Sequence, residues 1–207
     1  MIAETLQEFA IKHTDLLVGR AAKGDEQAFS KLMGLWYKRI FNFCYKYFQD
    51  HDLAMEVTQK AFISVHKGLP KLKDNGSFKP WLYRITLNKC HEEERKMKRK
   101  SWVSIFMSDK NNNEKEIIIE ESATGVFYNP TEKLEARETA EIVLESLGQI
   151  PEEQRTVLIM KEYEGMKFRE IAVVLDISEN TAKSRLYYGL KAMKKILEGK
   201  NIMHYGH

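Results

Sequence analysis

The chain has little proline and cysteine and no long apolar runs. Of its 207 residues, four are proline and two are cysteine. No proline interrupts a strong helical pattern, and no run of about 18 apolar residues, the length that crosses a bilayer, occurs. The N-terminus also lacks the basic and then apolar pattern of a secretory signal. We therefore expect a cytoplasmic protein that neither spans a membrane nor is exported.

The two cysteines have no partners at metal-ligand spacing. Cys44 and Cys90 lie in helical patterns, and although His91 follows Cys90, the further ligands of a zinc site are missing. We predict two reduced thiols, no metal site and no cofactor.

Apolar residues recur at helical spacing almost everywhere, which predicts an all-α fold. The helices are expected at about residues 15–23, 29–47, 52–65, 78–100, 130–148 and 151–163, followed by two more at the C-terminal end. Strands are hard to place. Residues 117–119, three consecutive isoleucines, are compatible with a short strand or with a small anchor for a partner, and the sequence leaves both open.

The net charge of +3 is too small to indicate nucleic acid by itself, but the charges are unevenly distributed. Helical periodicity fails over residues 101–128, and this stretch is mainly acidic (Asp109, Glu114, Glu116, Glu120 and Glu121 against Lys110 and Lys115). The segments on both sides end in basic runs. We predict two small helical domains, residues 1–100 and 131–207, joined by a flexible acidic linker at 101–130, and we expect the domains to move independently in the free protein.

Residues 168–186 have the pattern of a helix-turn-helix. Phe168, Ile171 and Leu175 recur at helical spacing, Asp176 stands at a turn where aspartate tolerates a left-handed backbone, and Ser178 is a typical N-cap. The second helix has an apolar stripe (Ala182, Leu186, Leu190, Met193, Leu197) and polar flanks suited to phosphates and base edges (Asn180, Thr181, Lys183, Ser184, Arg185, Tyr188). An amphipathic hairpin with a solvated basic face has the same pattern, so the motif alone leaves both interpretations open.

Both halves of the chain carry segments that resemble one family. The C-terminal segments PTEK (130–133), IPEEQR (150–155), EGMKFREIA (164–172) and NTAKSR (180–185) resemble the fourth region of extracytoplasmic-function sigma factors of bacterial RNA polymerase. The N-terminal segments GDEQAF (24–29), VTQKAF (57–62) and FKPWLYRI (78–85) resemble their second region. The segments follow the family order, with the expected linker between them.

The resemblance implies a non-catalytic subunit that binds core polymerase through the beta-prime coiled coil and the beta flap. The helix that begins near Asp52 matches the coiled-coil-binding helix, with Ala61 and Phe62 on its inner side. Its exposed face would supply the polymerase contacts, for which the candidates are Asp52, Glu56, Gln59 and Lys60. A solvated helix face remains the alternative for each of these residues, because most interface contacts are energetically mild.

The resemblance also implies capture of the melted minus-ten element. Residues 71–77 match a loop that receives a flipped-out base, and short polar side chains can hydrogen-bond an unpaired base edge. The candidates are Lys71, Lys73, Asn75, Ser77, Trp81, Arg84 and Asn88. Trp81 lies beside Leu82 and Ile85, a position more typical of the core than of stacking on DNA. Phosphates would be held by a basic series (Arg84, Lys89, Arg95, Lys96, Lys98, Arg99, Lys100), which could equally be a solvated helix end.

In the fourth region the resemblance places the second helix of the motif in the major groove at the minus-thirty-five element. The candidates are Thr181, Lys183, Ser184, Arg185 and Tyr188. The sequence departs from the family at Asp176 and Asn180, where glycine is common, and at Tyr188 and Gly189, where arginine and alanine are common. Since tyrosine cannot make the bidentate guanine contact of an arginine, we expect an altered sequence preference.

Regulation and linker function are further expectations from the family. Its members are often held by an anti-sigma factor, and the acidic linker matches a segment that threads toward the polymerase active centre, where negative charge mimics nucleic acid.

Three other classes compete with this interpretation. A response-regulator-type transcription factor would need a receiver domain of alternating strands and helices, which residues 1–100 do not show. A nucleic-acid-processing enzyme would need a converging carboxylate cluster, whereas residues 92–94 are consecutive glutamates that fan around a helix. For a purely structural helical adaptor, the basic and aromatic regions would be a coincidence.

Overall fold

The computed structural model describes the backbone of residues 14–107 and 130–200, and the side chains of residues 14–99 and 138–200. Within these ranges every regular element is a helix. This confirms the predicted all-α class. The described part of the chain contains no helix long and apolar enough to cross a membrane.

Helices α1 (residues 14–21), α2 (Glu26–Phe48), α3 (His51–Gly68) and α4 (Phe78–Met107) form the N-terminal bundle. Two aspartate caps begin its helices: Asp25 accepts a hydrogen bond from the backbone N–H of Ala28, and Asp50 accepts one from Leu53. Such caps satisfy backbone donors that the first turn leaves without partners. The short connections force α2, α3 and α4 to pack side by side.

The core of this bundle is aromatic. Trp36, Phe43 and Tyr83 are buried, and the Tyr83 ring lies edge-on to both other rings at centroid distances of 6.4 and 5.4 Å. Edge-to-face aromatic pairs add about 0.5–1.5 kcal/mol beyond the area they bury. The core therefore fixes α2 against α4 and sets the direction in which α4 presents its outer side chains.

Helices α5 (Pro130–Gln149), α6 (Glu152–Leu158), α7 (Phe168–Leu175) and α8 (Glu179–Gly199) form the C-terminal bundle. α6 continues as one π-helical turn over Ile159–Tyr163, which the sequence pattern did not predict. α7 and α8 are the predicted helix-turn-helix. Asp176 has the left-handed backbone expected of the turn, at φ 55°, and Ser178 caps α8 through the backbone N–H of Thr181 at 3.0 Å.

The structure corrects two expectations within these elements. Leu190 was expected in the buried stripe of α8 but is 47% exposed, whereas Val174 of α7, which the pattern did not single out, is buried. α4 also continues to Met107 and so enters the stretch expected to be linker. The acidic residues 109–121 and the isoleucines 117–119 lie outside the described residues.

The expectation that the two domains move independently is not matched by this structure, because the bundles pack against each other. One continuous apolar core joins N-terminal residues such as Phe43 and Tyr83 to C-terminal residues such as Met160 and Ile171. α4 packs on α7, and the Gln49 side-chain amide at the end of α2 donates a hydrogen bond to the backbone carbonyl of Leu144 in α5. The apolar surface of α6 and α7 thus gains a second partner that periodicity within one helix could not reveal.

Candidate nucleic-acid and partner interfaces

The outer face of α8 presents four of the five residues predicted to read the minus-thirty-five element. Thr181, Lys183, Ser184 and Tyr188 are all exposed. They are held in place because Ala182, Gly189 and Met193 of the same helix are buried. Thr181 is further positioned by the Ser178 hydroxyl, whose oxygen lies 2.8 Å from the Thr181 hydroxyl oxygen.

Arg185, the fifth predicted residue, is engaged within the protein. Its guanidinium lies 2.8 Å from a carboxylate oxygen of Glu153 in α6, and its side chain is 25% exposed. Lys183 is more accessible, with its ammonium 5.8 Å from the Phe168 ring centroid. The structure therefore leaves Lys183 as the freer cation, while Arg185 ties α8 to α6.

Tyr188 has an exposed aromatic neighbour that the sequence analysis did not single out. Tyr187 and Tyr188 are 64% and 57% exposed, with ring centroids 5.5 Å apart. The adjacent Gly189 is buried, and a Cβ there would lie 3.4 Å from the Gln154 backbone oxygen. Where the family commonly has arginine and alanine, this chain thus has Tyr188, which forms an exposed pair with Tyr187, and Gly189, which allows close contact between α8 and α6. In the sequence, the two adjacent tyrosines before a glycine were the signal that could have identified this aromatic pair.

The residues of the 71–77 loop divide into two groups. Lys71 and Lys73 are exposed. The Ser77 hydroxyl, in contrast, donates to the Asp74 carboxylate at 2.6 Å, and Asp74 also accepts from the backbone N–H of Gly76. These bonds lower the pKa of the Asp74 carboxyl. The loop therefore follows one short 3₁₀ turn, Leu69–Lys71, and contains a second, Asn75–Ser77, which Asp74 caps.

Asn75 is half-buried and lies against α1. Its amide is so close to Gly19 that a Cβ on that glycine would meet the Asn75 nitrogen at 2.8 Å. α1 thereby supports the loop, a contact across more than fifty residues that sequence pattern could not predict.

On α4, Arg84 and Asn88 are exposed and lie one helical turn apart. Trp81 is half-buried, packed on the core, with its ring against Gly68. This contact favours the core interpretation of Trp81 over stacking on DNA. Along the basic series, Lys89 is paired with Glu92 at 2.9 Å and Lys96 with Glu93 at 3.0 Å, while Arg95, Lys98 and Arg99 are exposed.

The predicted polymerase-binding residues lie on one side of α3. Asp52, Glu56 and Gln59 are exposed, and Ala61 and Phe62 are buried as expected. Lys60 is half-buried, and its ammonium donates to both Glu56 on this face and Glu93 of α4. These charge-assisted bonds raise the pKa of Lys60.

An apolar groove of about 710 Å³ runs beside these residues, between α2 and α3. Its walls include exposed apolar side chains that the sequence analysis missed: Tyr37, Met55 and Ile63. Met55 and Ile63 lie eight residues apart on the same helix, on either side of Gln59. Two apolar residues at that spacing on an otherwise polar face were the signal.

No group of three or more potential metal ligands occurs among the residues that the structure describes. Cys44 and Cys90 are free thiols, fully buried in the N-terminal bundle, and burial raises the pKa of the Cys90 thiol.

Comparison with known proteins gives two family matches. Residues 32–100 match the model of Sigma-70 region 2, and residues 140–193 match that of Sigma-70, region 4. Among similar proteins, the RNA polymerase sigma-H factor of Pseudomonas aeruginosa is 28% identical over 88% of this chain and 92% of its own length. The ECF RNA polymerase sigma-E factor of Escherichia coli is 27% identical over 86% of this chain and 91% of its own. The ECF RNA polymerase sigma factor SigW of Bacillus subtilis is 25% identical over 87% and 94%.

Two solved structures share the fold. CnrH, determined in complex with the cytosolic domain of CnrY, has a TM-score of 0.64 at 19% identity, covering 90% of this chain and 98% of that one. The sigma factor RpoE of Bartonella quintana, determined with the anti-sigma factor NepR, has a TM-score of 0.66 at 17% identity, covering 82% and 96%.

Proposed function

Since the chain belongs to the extracytoplasmic-function sigma factors, we propose that it binds core RNA polymerase and directs promoter-specific transcription initiation. α8 reads the minus-thirty-five element in the major groove. The 71–77 loop and the outer face of α4 capture the melted minus-ten element. The protein supplies specificity and no chemistry of its own, and acts in the cytoplasm.

The observation that carries this proposal is the outer face of α8. Thr181, Lys183 and Ser184 are exposed on a regular helix whose opposite face is buried in the helix-turn-helix. A helix of this kind fits the major groove, where hydroxyl and cationic side chains meet base edges and phosphates. A solvated helix would not need the capped, left-handed turn at Asp176 that fixes α8 against α7.

Polymerase binding is assigned to α3 and the groove beside it. Asp52, Glu56 and Gln59 supply a polar rim, and the groove supplies apolar area of the kind that helices of a partner fill. Lys60 acts within the protein, holding Glu56 and Glu93 together.

We assign the control of this protein to an anti-sigma factor. Of two proteins that share the fold, RpoE of Bartonella quintana was determined with the anti-sigma factor NepR, and CnrH with the cytosolic domain of CnrY. Co-purification from cells, followed by identification of the bound proteins, tests this assignment.

The test is promoter binding with and without core polymerase, read by native gel and by in vitro transcription. A sigma factor binds promoter DNA well only in the presence of the polymerase, whereas a stand-alone regulator binds duplex DNA by itself. A structural adaptor binds neither promoter DNA nor the polymerase. Strong promoter binding by the isolated chain, with no effect of added polymerase, would overturn the proposal.

A further inference from the structure

Helix α1 is fixed firmly to the N-terminal bundle. Leu17 and Val18 on its inner side are buried in the apolar core. At its end the chain turns at Gly24, whose backbone has a φ of 91°, and the Arg20 guanidinium lies 2.6 Å from the Asp25 carboxylate across this turn. Because its core contacts and this turn hold it together, α1 presents a fixed surface to the residues beside it.

The surface that α1 presents to the 71–77 loop is made by Asp15 and Gly19, which lie one helical turn apart. The Asp15 carboxyl interacts with Asp74 of the loop: burial, and then the Asp74 charge, raise the pKa of Asp15. Gly19 contacts Asn75. A Cβ on Gly19 would lie 2.8 Å from the Asn75 amide nitrogen and 3.8 Å from its Cγ. The half-buried Asn75 thus rests its amide nitrogen on the backbone of α1.

This contact requires a glycine at position 19. Nonbonded atoms pack at about 3.5–4.0 Å, so any side chain there would overlap the Asn75 amide. Gly19 lies inside a helix, and the glycines with positive φ in the described residues are Gly24 and Gly165. Its backbone conformation therefore does not call for glycine, and a glycine inside a helix is destabilising relative to alanine. Space for the Asn75 amide is what the glycine provides.

The loop itself holds Asn75 on the side opposite α1. Asp74 caps the 3₁₀ turn that contains Asn75, accepting hydrogen bonds from the backbone N–H of Gly76 at 3.0 Å and from the Ser77 hydroxyl at 2.6 Å. Because this turn and α1 are both fixed, an amide pushed off Gly19 has to move toward solvent. That is the side from which an unstacked base enters a loop of this kind.

We propose that α1 is part of the minus-ten reader, with Gly19 as a positioning residue that seats Asn75 and so sets the outline that the 71–77 loop offers to an unstacked base. This inference rests on the proposed function. Gly19 itself contacts no base and acts through Asn75. Residue 19 therefore affects base preference although it lies in another element, far from the loop in the sequence.

The test is in vitro transcription by the full chain with core polymerase, from a promoter library with randomised minus-ten and minus-thirty-five elements. Gly19→Ala adds the Cβ that meets the Asn75 amide. Gly34→Ala is the matched control, since Gly34 is an exposed glycine of α2 where a Cβ would meet nothing within 4 Å. Alanine is the better helix former, so both variants should melt at or above the wild-type temperature.

We expect Gly19→Ala to change the preference between two bases at a position of the minus-ten element by about fivefold or more, the lower end of what a well-placed base contact contributes. Its minus-thirty-five preference and polymerase affinity should equal those of the wild type, and Gly34→Ala should match the wild type throughout. An unchanged minus-ten profile for Gly19→Ala, or the same change in Gly34→Ala, would overturn the proposal. So would a lower melting temperature for Gly19→Ala, because α1 would then have yielded instead of the amide.

A second pair of variants tests whether Gly19 acts through Asn75. Asn75→Ala removes the amide, and nothing then remains for a Cβ at position 19 to displace. The base profiles of Asn75→Ala and of Gly19→Ala combined with Asn75→Ala should therefore coincide. If Gly19→Ala shifts the profile further in the absence of the amide, the seat of Asn75 is not the cause and the proposal is wrong.

The wild-type chain separates this inference from the proposed function. If it directs transcription from selected promoters while Gly19→Ala keeps the wild-type minus-ten profile, the positioning role is wrong and the proposed function stands. If it directs no promoter-specific transcription with core polymerase, the proposed function is wrong, and the role of Gly19 falls with it.

Discussion

The two surfaces assigned to DNA are built in different ways. On α8, four of the five predicted residues project from a regular helix into solvent, and the fifth, Arg185, is only 25% exposed and forms an ion pair with Glu153. In the 71–77 loop, Ser77 is exposed but bound to Asp74, and Asn75 lies against Gly19, which leaves Lys71 and Lys73 as the exposed predicted residues whose side chains are not engaged in these contacts.

This difference indicates two modes of DNA recognition, by side-chain hydrogen bonds on α8 and by shape in the 71–77 loop. A helix offers donors and acceptors directly to base edges, so single substitutions change its preference. A loop closed by its own hydrogen bonds instead offers a rigid outline, into which an unstacked base fits or does not. We therefore expect α8 to respond to point changes and the loop to respond to changes of its whole fold.

The largest effect is expected from shortening the connection between these surfaces. Deleting residues 110–115, which lie outside the described residues, removes about 20 Å of reach and spares both bundles. Two linked contacts can bind about 100-fold more tightly than either contact alone. Open-complex formation on two-element promoters should therefore fall by about that factor. Each bundle should still bind its own target. Wild-type transcription across promoter spacings would show that the linker is a passive connection and that its acidic residues thread no channel.

On α8, Lys183→Ala should weaken promoter binding by about 1–3 kcal/mol if the lysine contacts a base, and by less, with a shallower salt dependence, if it contacts a phosphate. Polymerase affinity should not change. Lys195→Ala, an exposed lysine farther along the same helix, is the matched control and should bind promoter normally. Equal losses for both variants, or a loss of polymerase affinity, would mean that α8 has another role.

Arg185 tests whether a recognition residue can also be structural. Arg185→Ala should lower the melting temperature, at a cost of about 1 kcal/mol, because it removes the pair with Glu153. It should also weaken promoter binding. Glu153→Gln should lower the melting temperature similarly but keep promoter affinity, since the cation remains. If both variants lose the same promoter affinity, Arg185 acts only by holding α8 on α6.

The smallest effect concerns the bridge between α3 and α4 that Lys60 and Glu93 form. The Lys60 ammonium, followed by Lys96, holds the pKa of the Glu93 carboxyl below its usual value of 4.5. A lowered pKa stabilises the fold above about pH 4.5, and this stability is lost as the pH falls through the folded value. Glu93→Gln should therefore lower the free energy of unfolding at pH 7 by about 1 kcal/mol or less, and this loss should shrink as the pH falls below about 4.5. A loss that does not depend on pH would point to packing rather than charge.

Sequence pattern predicted what depends on neighbours along the helix. The cap at Ser178, the left-handed Asp176 and the buried Ala61 and Phe62 all follow from local spacing and backbone preference. The exposure of Thr181, Lys183 and Ser184 follows for the same reason.

Features that depend on distant contacts were not predictable in this way. Three such contacts join residues that are 32, 56 and 81 positions apart in the chain. They are the ion pair of Arg185 with Glu153, the contact of Asn75 with Gly19 and the hydrogen bond of Tyr83 to the buried Glu164. Nothing in the local pattern distinguishes a glutamate that faces solvent from one that meets a tyrosine of the other bundle. The packing of the two bundles was missed for this reason.

The most direct test of the account is an exchange of each surface, read by in vitro transcription from a promoter library. In one variant, residues 71–77 are replaced by the loop of another extracytoplasmic-function sigma factor, and in a second, residues 180–188 are replaced by that protein's recognition segment. We predict that the loop exchange alters base preference within the minus-ten element alone, and that the helix exchange alters it within the minus-thirty-five element alone. An unchanged base profile in either variant, or a change at the opposite element, would contradict the assignment of the two surfaces.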